Sequence, residues 1–220
     1  YFERSFIKDA KETLIISSVH YNYLVKKYSI KPIIVPIGTT PIPEIPAKRG
    51  NYLLAFGRWQ QRKNPQLLLE LIKRIPDAKL LLAGSWTSGA ELAVFKDEIK
   101  RSKLSHRIKL IPHYSDRVLK RLCASARVFL HPHFEAFGLA ALEAAGHGVP
   151  IIVPEKSGVT EGFIHGVHGF FPGGEDIDTY TPYVQKLIGD SRLAYRMGKA
   201  AWLTVKSAYS WKAIVNRLLN

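Results

Sequence analysis

The sequence predicts an α/β protein built on a doubly wound parallel sheet. Short apolar runs rich in Ile, Leu and Val alternate with amphipathic runs along the chain. Most of these apolar runs lack a polar face, which is typical of parallel strands that helices cover on both sides. The composition, 46% hydrophobic and 23% charged over 220 residues, is that of an ordinary globular protein.

The individual elements follow from these runs. Strands are expected at residues 13–17, 33–36, 52–56, 79–83, 107–111, 127–130, 149–153 and 169–171. Helices are expected between and after them, at residues 19–28, 64–74, 89–100, 115–124, 137–147, 179–187, 192–208 and 211–219. A sheet of this kind binds its ligands beyond the carboxyl ends of the strands.

A proline-rich segment divides the chain. Residues 36–46 contain four prolines and one glycine, a composition typical of an extended linker. We therefore interpret residues 1–38 as the tail end of a preceding domain and residues 39–50 as the linker. Residues 51–209 then form a complete domain, and residues 210–220 form a last helix that folds back toward the first segment. Because the chain begins with Tyr1, we expect it to be a fragment of a longer protein.

The charge favours anionic partners. The net charge is +14, from 32 Lys and Arg against 18 Asp and Glu. Nucleotides and acidic membrane surfaces are candidate partners for such a chain. The densest basic cluster, residues 96–109, lacks the interleaved aromatic side chains that stack on bases, so a nucleic-acid partner is disfavoured.

Cysteine and histidine content restricts other chemistries. A single cysteine, Cys123, excludes an internal disulfide and is interpreted as a buried core residue. His131 and His133 flank Pro132, and a two-histidine metal site there is disfavoured. No apolar run reaches the length that spans a membrane.

Two glutamates, Glu135 and Glu143, bracket the start of a small-residue helix. With a helix start near Ala136, free backbone N–H groups would lie at Phe137, Gly138 and Leu139, where they favour an anion. Gly138 lets a ligand approach the backbone closely. Two acceptors beside an anion site suit a nucleotide-sugar, which carries hydroxyl groups on either side of a diphosphate. The alternative is that both glutamates are solvated residues of a helix face.

A second group of candidates follows another strand. Gly57 and Arg58 end that strand and Lys63 precedes a helix, so Arg58 and Lys63 share one loop at the carboxyl edge of the sheet. Together they can neutralise a diphosphate without a metal, unless they are simply a solvated basic loop. Gly158 on a later loop can admit a ligand, and the loop at His113 can contact a base.

These features occur in an order that resembles a known family. The run from Asn51 to Asn220 resembles the nucleotide-binding domain of glycosyltransferase family four, which is retaining and has the GT-B fold. The matching elements are Gly57-Arg58 with Lys63-Asn64, Glu135-Ala-Phe-Gly138-Leu with Glu143-Ala144, Gly148-Val-Pro150-Ile-Ile152, Ser157-Gly158 with Glu161, Gly166 with Gly169, and Ser210-Trp211. His147 replaces a usual small residue and Ser157-Gly158 replaces a Gly-Gly pair, which leaves the choice of donor open.

The resemblance implies a role for each position. Arg58 and Lys63 would bind the donor diphosphate and stabilise it as the leaving group, and Glu135 would bind hydroxyls of the transferred sugar. The remaining donor contacts would come from Gly57, His113, the backbone of Phe137, Gly138 and Leu139, Glu143 at the ribose, and Gly158. The fold implied is the Rossmann-like C-terminal half of a GT-B glycosyltransferase.

The resemblance also implies partners. The donor would be a UDP-, GDP- or ADP-sugar used without a metal, and the acceptor a carbohydrate or a lipid-linked molecule. A missing N-terminal domain would hold the acceptor, so this chain alone is expected to be inactive or weakly active. A cytoplasmic location is expected, with peripheral contact to an anionic membrane face. The alternatives are a non-catalytic or degenerate nucleotide-sugar-binding module and a GT-B nucleotide-sugar epimerase.

Overall fold

The computed structural model describes residue 7 and residues 9–219. Its strands are β1 Leu14–Ile15, β2 Ile33–Ile34, β3 Leu53–Phe56, β4 Leu80–Ala83, β5 Ile108–Ile111, β6 Val128–Leu130, β7 Ile151–Ile152 and β8 Gly169–Phe170. Its α-helices are α1 Tyr21–Tyr28, α2 Pro65–Arg74, α3 Gly89–Arg101, α4 Asp116–Ser125, α5 Leu139–Gly146, α6 Ile177–Gly189, α7 Ser191–Thr204 and α8 Trp211–Leu219. Short 3-10 turns lie at Ser18–His20, Gln61–Lys63 and Gly158–Gly162, and a π-helical turn lies at Val205–Tyr209.

Six strands form the central sheet in the order β5-β4-β3-β6-β7-β8, and every neighbouring pair is parallel. The chain builds outward from β3 to β5, then returns to the other side of β3 and builds outward again from β6. The strand order therefore reverses between β3 and β6. Such a reversal opens a crevice at the carboxyl edge of the sheet, where ligands bind. The predicted doubly wound fold is confirmed.

Strand β3 shows how the sheet is buried on both faces. Leu53 and Ala55 belong to one apolar cluster, while Leu54 and Phe56 belong to the other, as the alternation of a pleated strand requires. Helices α2, α3 and α6 contribute to the first cluster, and α4 and α5 to the second. This two-sided burial explains why the strand sequence has no polar face.

The N-terminal segment packs on this domain. β1 and β2 form a separate two-stranded parallel sheet, and Leu14 and Ile33 in it remain 55% and 48% exposed. Thr39 pairs with Ser210 in a parallel bridge, and its carbonyl accepts a hydrogen bond from the Trp211 N–H at 3.2 Å. The start of α8 therefore lies against the beginning of the proline-rich segment. Within the described residues, no helix is both long and apolar enough to cross a bilayer.

Some element boundaries differ from the prediction. The helix expected at 137–147 begins at Leu139, because Gly138 adopts a left-handed conformation with φ 99° and caps it. The helix expected at 192–208 ends at Thr204 and continues as the π-helical turn. The helix expected at 179–187 begins two residues earlier, where the Asp176 side chain accepts from the Thr179 N–H and caps its start.

Candidate functional site

The loop after β3 carries two cationic side chains. Trp59 holds this loop down, since its ring is buried and its Nε1–H donates to the Ala83 carbonyl at 2.8 Å. Asn64 ends the loop in a left-handed conformation, and its side chain accepts from the Leu67 N–H at the start of α2. Arg58, just before Trp59, is exposed, and Lys63, just before Asn64, is half-buried. Both charges therefore lie at the carboxyl edge of the sheet, as the sequence predicts.

The loop after β6 faces them across the crevice. Lys63 Nζ lies 2.7 Å from Glu135 Oε1, which forms a half-buried ion pair between the two loops. His133 Nε2 lies 2.8 Å from the same oxygen, and His131 Nε2 lies 3.2 Å from His133 Nε2. The Phe134 N–H donates to Glu175 Oε1 at 2.7 Å, which fixes the backbone just before Glu135.

The charge state of this cluster follows from its contacts. The nearby imidazoles of His131 and His133 and the Lys63 ammonium hold the pKa of Glu135 far below its usual range, although partial burial acts in the opposite direction. Burial lowers the pKa of His131 to about 4. At neutral pH Glu135 is therefore a carboxylate beside a neutral imidazole.

The start of α5 provides backbone donors. Because α5 begins at Leu139, the expectation of a helix start near Ala136 is wrong. Free first-turn N–H groups belong to Leu139 and Ala140, while the Ala141 N–H already bonds the Gly138 carbonyl. Phe137 is buried, and its carbonyl accepts from the Val159 N–H. The free N–H groups of the first turn therefore lie further along the chain than the sequence suggests.

A cavity of about 170 Å³ joins the two loops and the start of α5. Its lining includes the predicted residues Gly57, Arg58, Lys63, Glu135 and Leu139. The strand reversal explains this meeting, because β3 and β6 are neighbours in the sheet although more than 70 residues separate them. This arrangement offers two cations, a carboxylate and a helix N-terminus to a small anionic ligand.

Glu143 lines a neighbouring cavity of about 370 Å³. Leu139, which is 42% exposed, lines both cavities. Burial, and then the nearby negative charge of Asp116, raise the pKa of Glu143. The two glutamates therefore have opposite electrostatic environments and line two different cavities.

Two predicted residues have different surroundings from those expected. His113 is exposed and lines neither cavity. Gly158 is buried, and a Cβ atom there would lie 2.1 Å from the Ala136 carbonyl oxygen and 2.7 Å from Ser17 Cβ. The close approach that requires glycine at this position is thus to the protein backbone. Its N–H donates to the Glu135 carbonyl at 3.1 Å, so Gly158 supports the glutamate loop.

Other residues at the site carry weaker sequence signals. Glu161 accepts hydrogen bonds from the N–H and hydroxyl of Ser18, which ties the N-terminal segment to the loop of Gly158. Such a contact joins positions 143 apart and follows from no local pattern.

His131 and His133 line the first cavity, and their spacing around Pro132 is the sequence signal that marks them. Among the described residues, His131, His133 and Glu135 form the group with ligand atoms close enough to share a metal ion.

Comparison with known proteins identifies a family. The family described as Glycosyl transferases group 1 matches residues 41–203. The D-inositol 3-phosphate glycosyltransferase of Corynebacterium diphtheriae is 27% identical over 175 residues, covering 76% of this chain and 41% of that protein. The mannosylfructose-phosphate synthase of Agrobacterium fabrum is 27% identical over 180 residues, covering 77% of this chain and 40% of that protein. The matched part of the chain thus spans about two fifths of these relatives.

Solved structures share the fold over nearly the whole chain. The sucrose-phosphate synthase of Thermosynechococcus elongatus has a TM-score of 0.86 at 24% identity, covering 98% of this chain and 58% of that one. Anabaena HepE in complex with UDP and glucose has a TM-score of 0.85 at 16% identity, covering 99% of this chain and 65% of that one.

Proposed function

This chain belongs to the group 1 glycosyl transferases, and we propose from that premise that it is the donor-binding half of a retaining glycosyltransferase. The reaction moves a sugar from a nucleotide-diphosphate donor to an acceptor hydroxyl. The observation that carries the proposal is the cavity at the strand reversal. Arg58, Lys63 and the start of α5 all border it, and Glu135 lies 2.7 Å from the lysine.

The two cations and the helix N-terminus suit the diphosphate. As the bond to the sugar breaks, negative charge grows on the leaving diphosphate. Arg58, Lys63 and the N–H groups of Leu139 and Ala140 stabilise that charge, and such stabilisation lowers the barrier. In the absence of donor, Lys63 forms an ion pair with Glu135, which holds its ammonium in the cavity. When the donor binds, the diphosphate replaces Glu135 as the partner of this ammonium. Transfer on this account needs no metal.

The two glutamates bind different parts of the donor. Glu135 is ionised and accepts hydrogen bonds from hydroxyls of the transferred sugar. A hydrolase would need a second carboxylate across the scissile bond, so Glu135 has no nucleophilic role in this proposal. Glu143 accepts from the ribose hydroxyls, and the loop at His113 lies toward the base. UDP, GDP and ADP are the candidate nucleotides, and HepE was solved with UDP.

The acceptor side lies outside this chain in the proposal. Residues 1–38 are the end of an acceptor-binding domain, and the acceptor is a carbohydrate or a lipid-linked molecule. The net charge of +14 supports peripheral contact of the cytoplasmic protein with an anionic membrane face.

A non-catalytic module and a nucleotide-sugar epimerase are the alternatives to a glycosyltransferase. A longer protein that binds donor but neither transfers nor epimerises the sugar would favour the module.

Nucleotide binding tests the site directly. Melting of the chain is measured with UDP, GDP, ADP and their sugars, and at one hundred times its Kd a ligand adds about 2.7 kcal/mol of stability. We expect Arg58→Ala and Glu143→Ala to remove most of the shift. Arg101→Ala is the matched control, because Arg101 pairs with Asp97 on the surface of α3, away from the cavity. Shifts that persist unchanged in both site variants would show that the nucleotide binds elsewhere.

A further inference from the structure

Two buried imidazoles and a carboxylate meet at one point of the candidate site. His131 and His133 are each 7% exposed, and their Nε2 atoms both face Glu135 Oε1. We propose that these three atoms form a binding site for Zn²⁺ or a similar transition-metal ion, and that the bound ion blocks use of the donor. The inhibitory part rests on the proposed function, whereas the metal site itself does not.

The spacing of the three atoms fits one ion. The separations are 3.2 Å between the two Nε2 atoms, and 2.8 and 3.6 Å from His133 and His131 to Glu135 Oε1. Ligand atoms that bind Zn²⁺ at about 2.0–2.1 Å in tetrahedral geometry lie about 3.3 Å from one another. Small side-chain adjustments therefore bring all three to bonding distance. All three residues line the 170 Å³ cavity, from which a fourth ligand can reach the ion.

The types of ligand atom select the metal. Two imidazole nitrogens and one carboxylate oxygen are a common ligand set of zinc sites that keep an open position. Mg²⁺ and Ca²⁺ prefer oxygen ligands, so this site discriminates against them. The two histidines alone give too few ligands for a convincing site, and the fold supplies Glu135 as the third.

Lys63 competes with the metal ion for Glu135. Its Nζ lies 2.7 Å from the same oxygen, Glu135 Oε1, that the ion would use. An ammonium and a divalent ion on one carboxylate oxygen repel each other strongly in a half-buried site. Metal binding therefore displaces Lys63 from Glu135. In the proposed function, the donor sugar then loses the carboxylate that binds its hydroxyls.

Metal affinity is measured first without nucleotide, on the 220-residue chain stripped with chelator. Zn²⁺ affinity comes from competition with a chromophoric chelator, and Co²⁺ gives a visible absorption band in a low-coordinate site. We expect His133→Ala to weaken Zn²⁺ binding at least tenfold and to abolish the Co²⁺ band. His106→Ala, an exposed loop histidine, is the matched control and should leave both unchanged. Equal Zn²⁺ affinity in the native chain and in His133→Ala overturns the proposal.

Lys63→Met provides a second test that does not depend on removing a buried ring. Because the variant removes the competing ammonium, we expect it to bind Zn²⁺ more tightly than the native chain while binding UDP more weakly. Unchanged or weaker Zn²⁺ binding in Lys63→Met contradicts the proposed competition. A tenfold excess of Mg²⁺ should not displace Zn²⁺, and displacement would contradict the ligand assignment.

Inhibition is measured as the additional melting shift that a UDP-sugar gives over UDP, with Zn²⁺ and with EDTA. The native chain should lose this additional shift in Zn²⁺ and regain it in EDTA. A UDP shift in EDTA together with no Zn²⁺ binding overturns the metal site and leaves the proposed function standing. Zn²⁺ binding together with no nucleotide shift in EDTA supports the metal site and overturns the proposed function.

Discussion

At the scale of single residues, the two glutamates show how environment separates identical side chains. Glu135 is stabilised as a carboxylate by His131, His133 and Lys63, whereas burial and Asp116 raise the pKa of Glu143. Ionisation of Glu143 therefore lowers the stability of the folded state. This loss of stability fits a carboxylate whose role is to bind a ligand. The same side chain is expected to oppose stability and to support binding.

The sign of this cost gives a pH prediction. Because the folded state holds the Glu143 proton more tightly, stability falls as the pH rises from the ordinary value of 4.5 through the raised pKa. Glu143→Gln should therefore melt at a higher temperature than the native chain at neutral pH, and the difference should shrink in acid. Nucleotide affinity should fall about tenfold or more, since a charged hydrogen bond contributes ~1.5–3 kcal/mol.

Calorimetric melting at neutral and acid pH, together with titration of UDP, measures both effects. Glu155→Gln is the control, because Glu155 is exposed and lines neither cavity. A Glu143→Gln variant that is less stable than the native chain at neutral pH would contradict the assignment of an unfavourable buried charge.

At the scale of elements, α5 depends on the conformation of one residue. Gly138 has φ 99°, and a Cβ atom there would lie 3.3 Å from Val159 Cγ1. Gly138→Ala should destabilise the chain by ~1–2 kcal/mol through the left-handed backbone alone. Because the N–H groups of the first turn would also shift, nucleotide binding should weaken.

Urea unfolding measures the cost, and Gly89→Ala is the matched control. Gly89 is the first residue of α3, and a Cβ atom there has no neighbour within 4 Å. Since alanine favours a helix over glycine, the control should keep or gain up to about 1 kcal/mol. Equal stability of Gly138→Ala and the native chain would mean that α5 tolerates another start.

The same elements show what the sequence can predict. The sheet and the order of its elements can be predicted from apolar runs without a polar face. The position of Arg58, Lys63 and Glu135 at the carboxyl edge can be predicted because each of them comes shortly after a strand. The start of α5 does not follow from the local sequence, because the preceding backbone is bonded to a distant loop: the Phe137 carbonyl accepts from the Val159 N–H. The role of Gly158 as a close packing contact is likewise invisible locally, since its neighbours Ser17 and Ala136 come from other segments.

At the scale of the whole molecule, the described part of the N-terminal segment forms its own small sheet beside the main one. β1 and β2 are two short strands, and a two-stranded sheet alone is only marginally stable in water. Its attachment to the rest of the described chain includes the hydrogen bonds of Ser18 to Glu161. Leu14 and Ile33 are apolar and about half exposed. These features fit our interpretation of residues 1–38 as the end of another domain.

This interpretation predicts that the 220-residue chain binds the nucleotide without efficient sugar transfer. The matched part of the chain spans 41% of the D-inositol 3-phosphate glycosyltransferase, and in our proposal the acceptor side of the cleft lies outside it. We expect the 220-residue chain to give a nucleotide melting shift that requires Arg58, yet to transfer little or no sugar from labelled UDP-, GDP- or ADP-sugars to added acceptors. A longer protein that carries the proposed acceptor domain should transfer efficiently, and Arg58→Ala should abolish that transfer. Robust, Arg58-dependent transfer by the 220-residue chain alone would instead place the acceptor site within the residues present here.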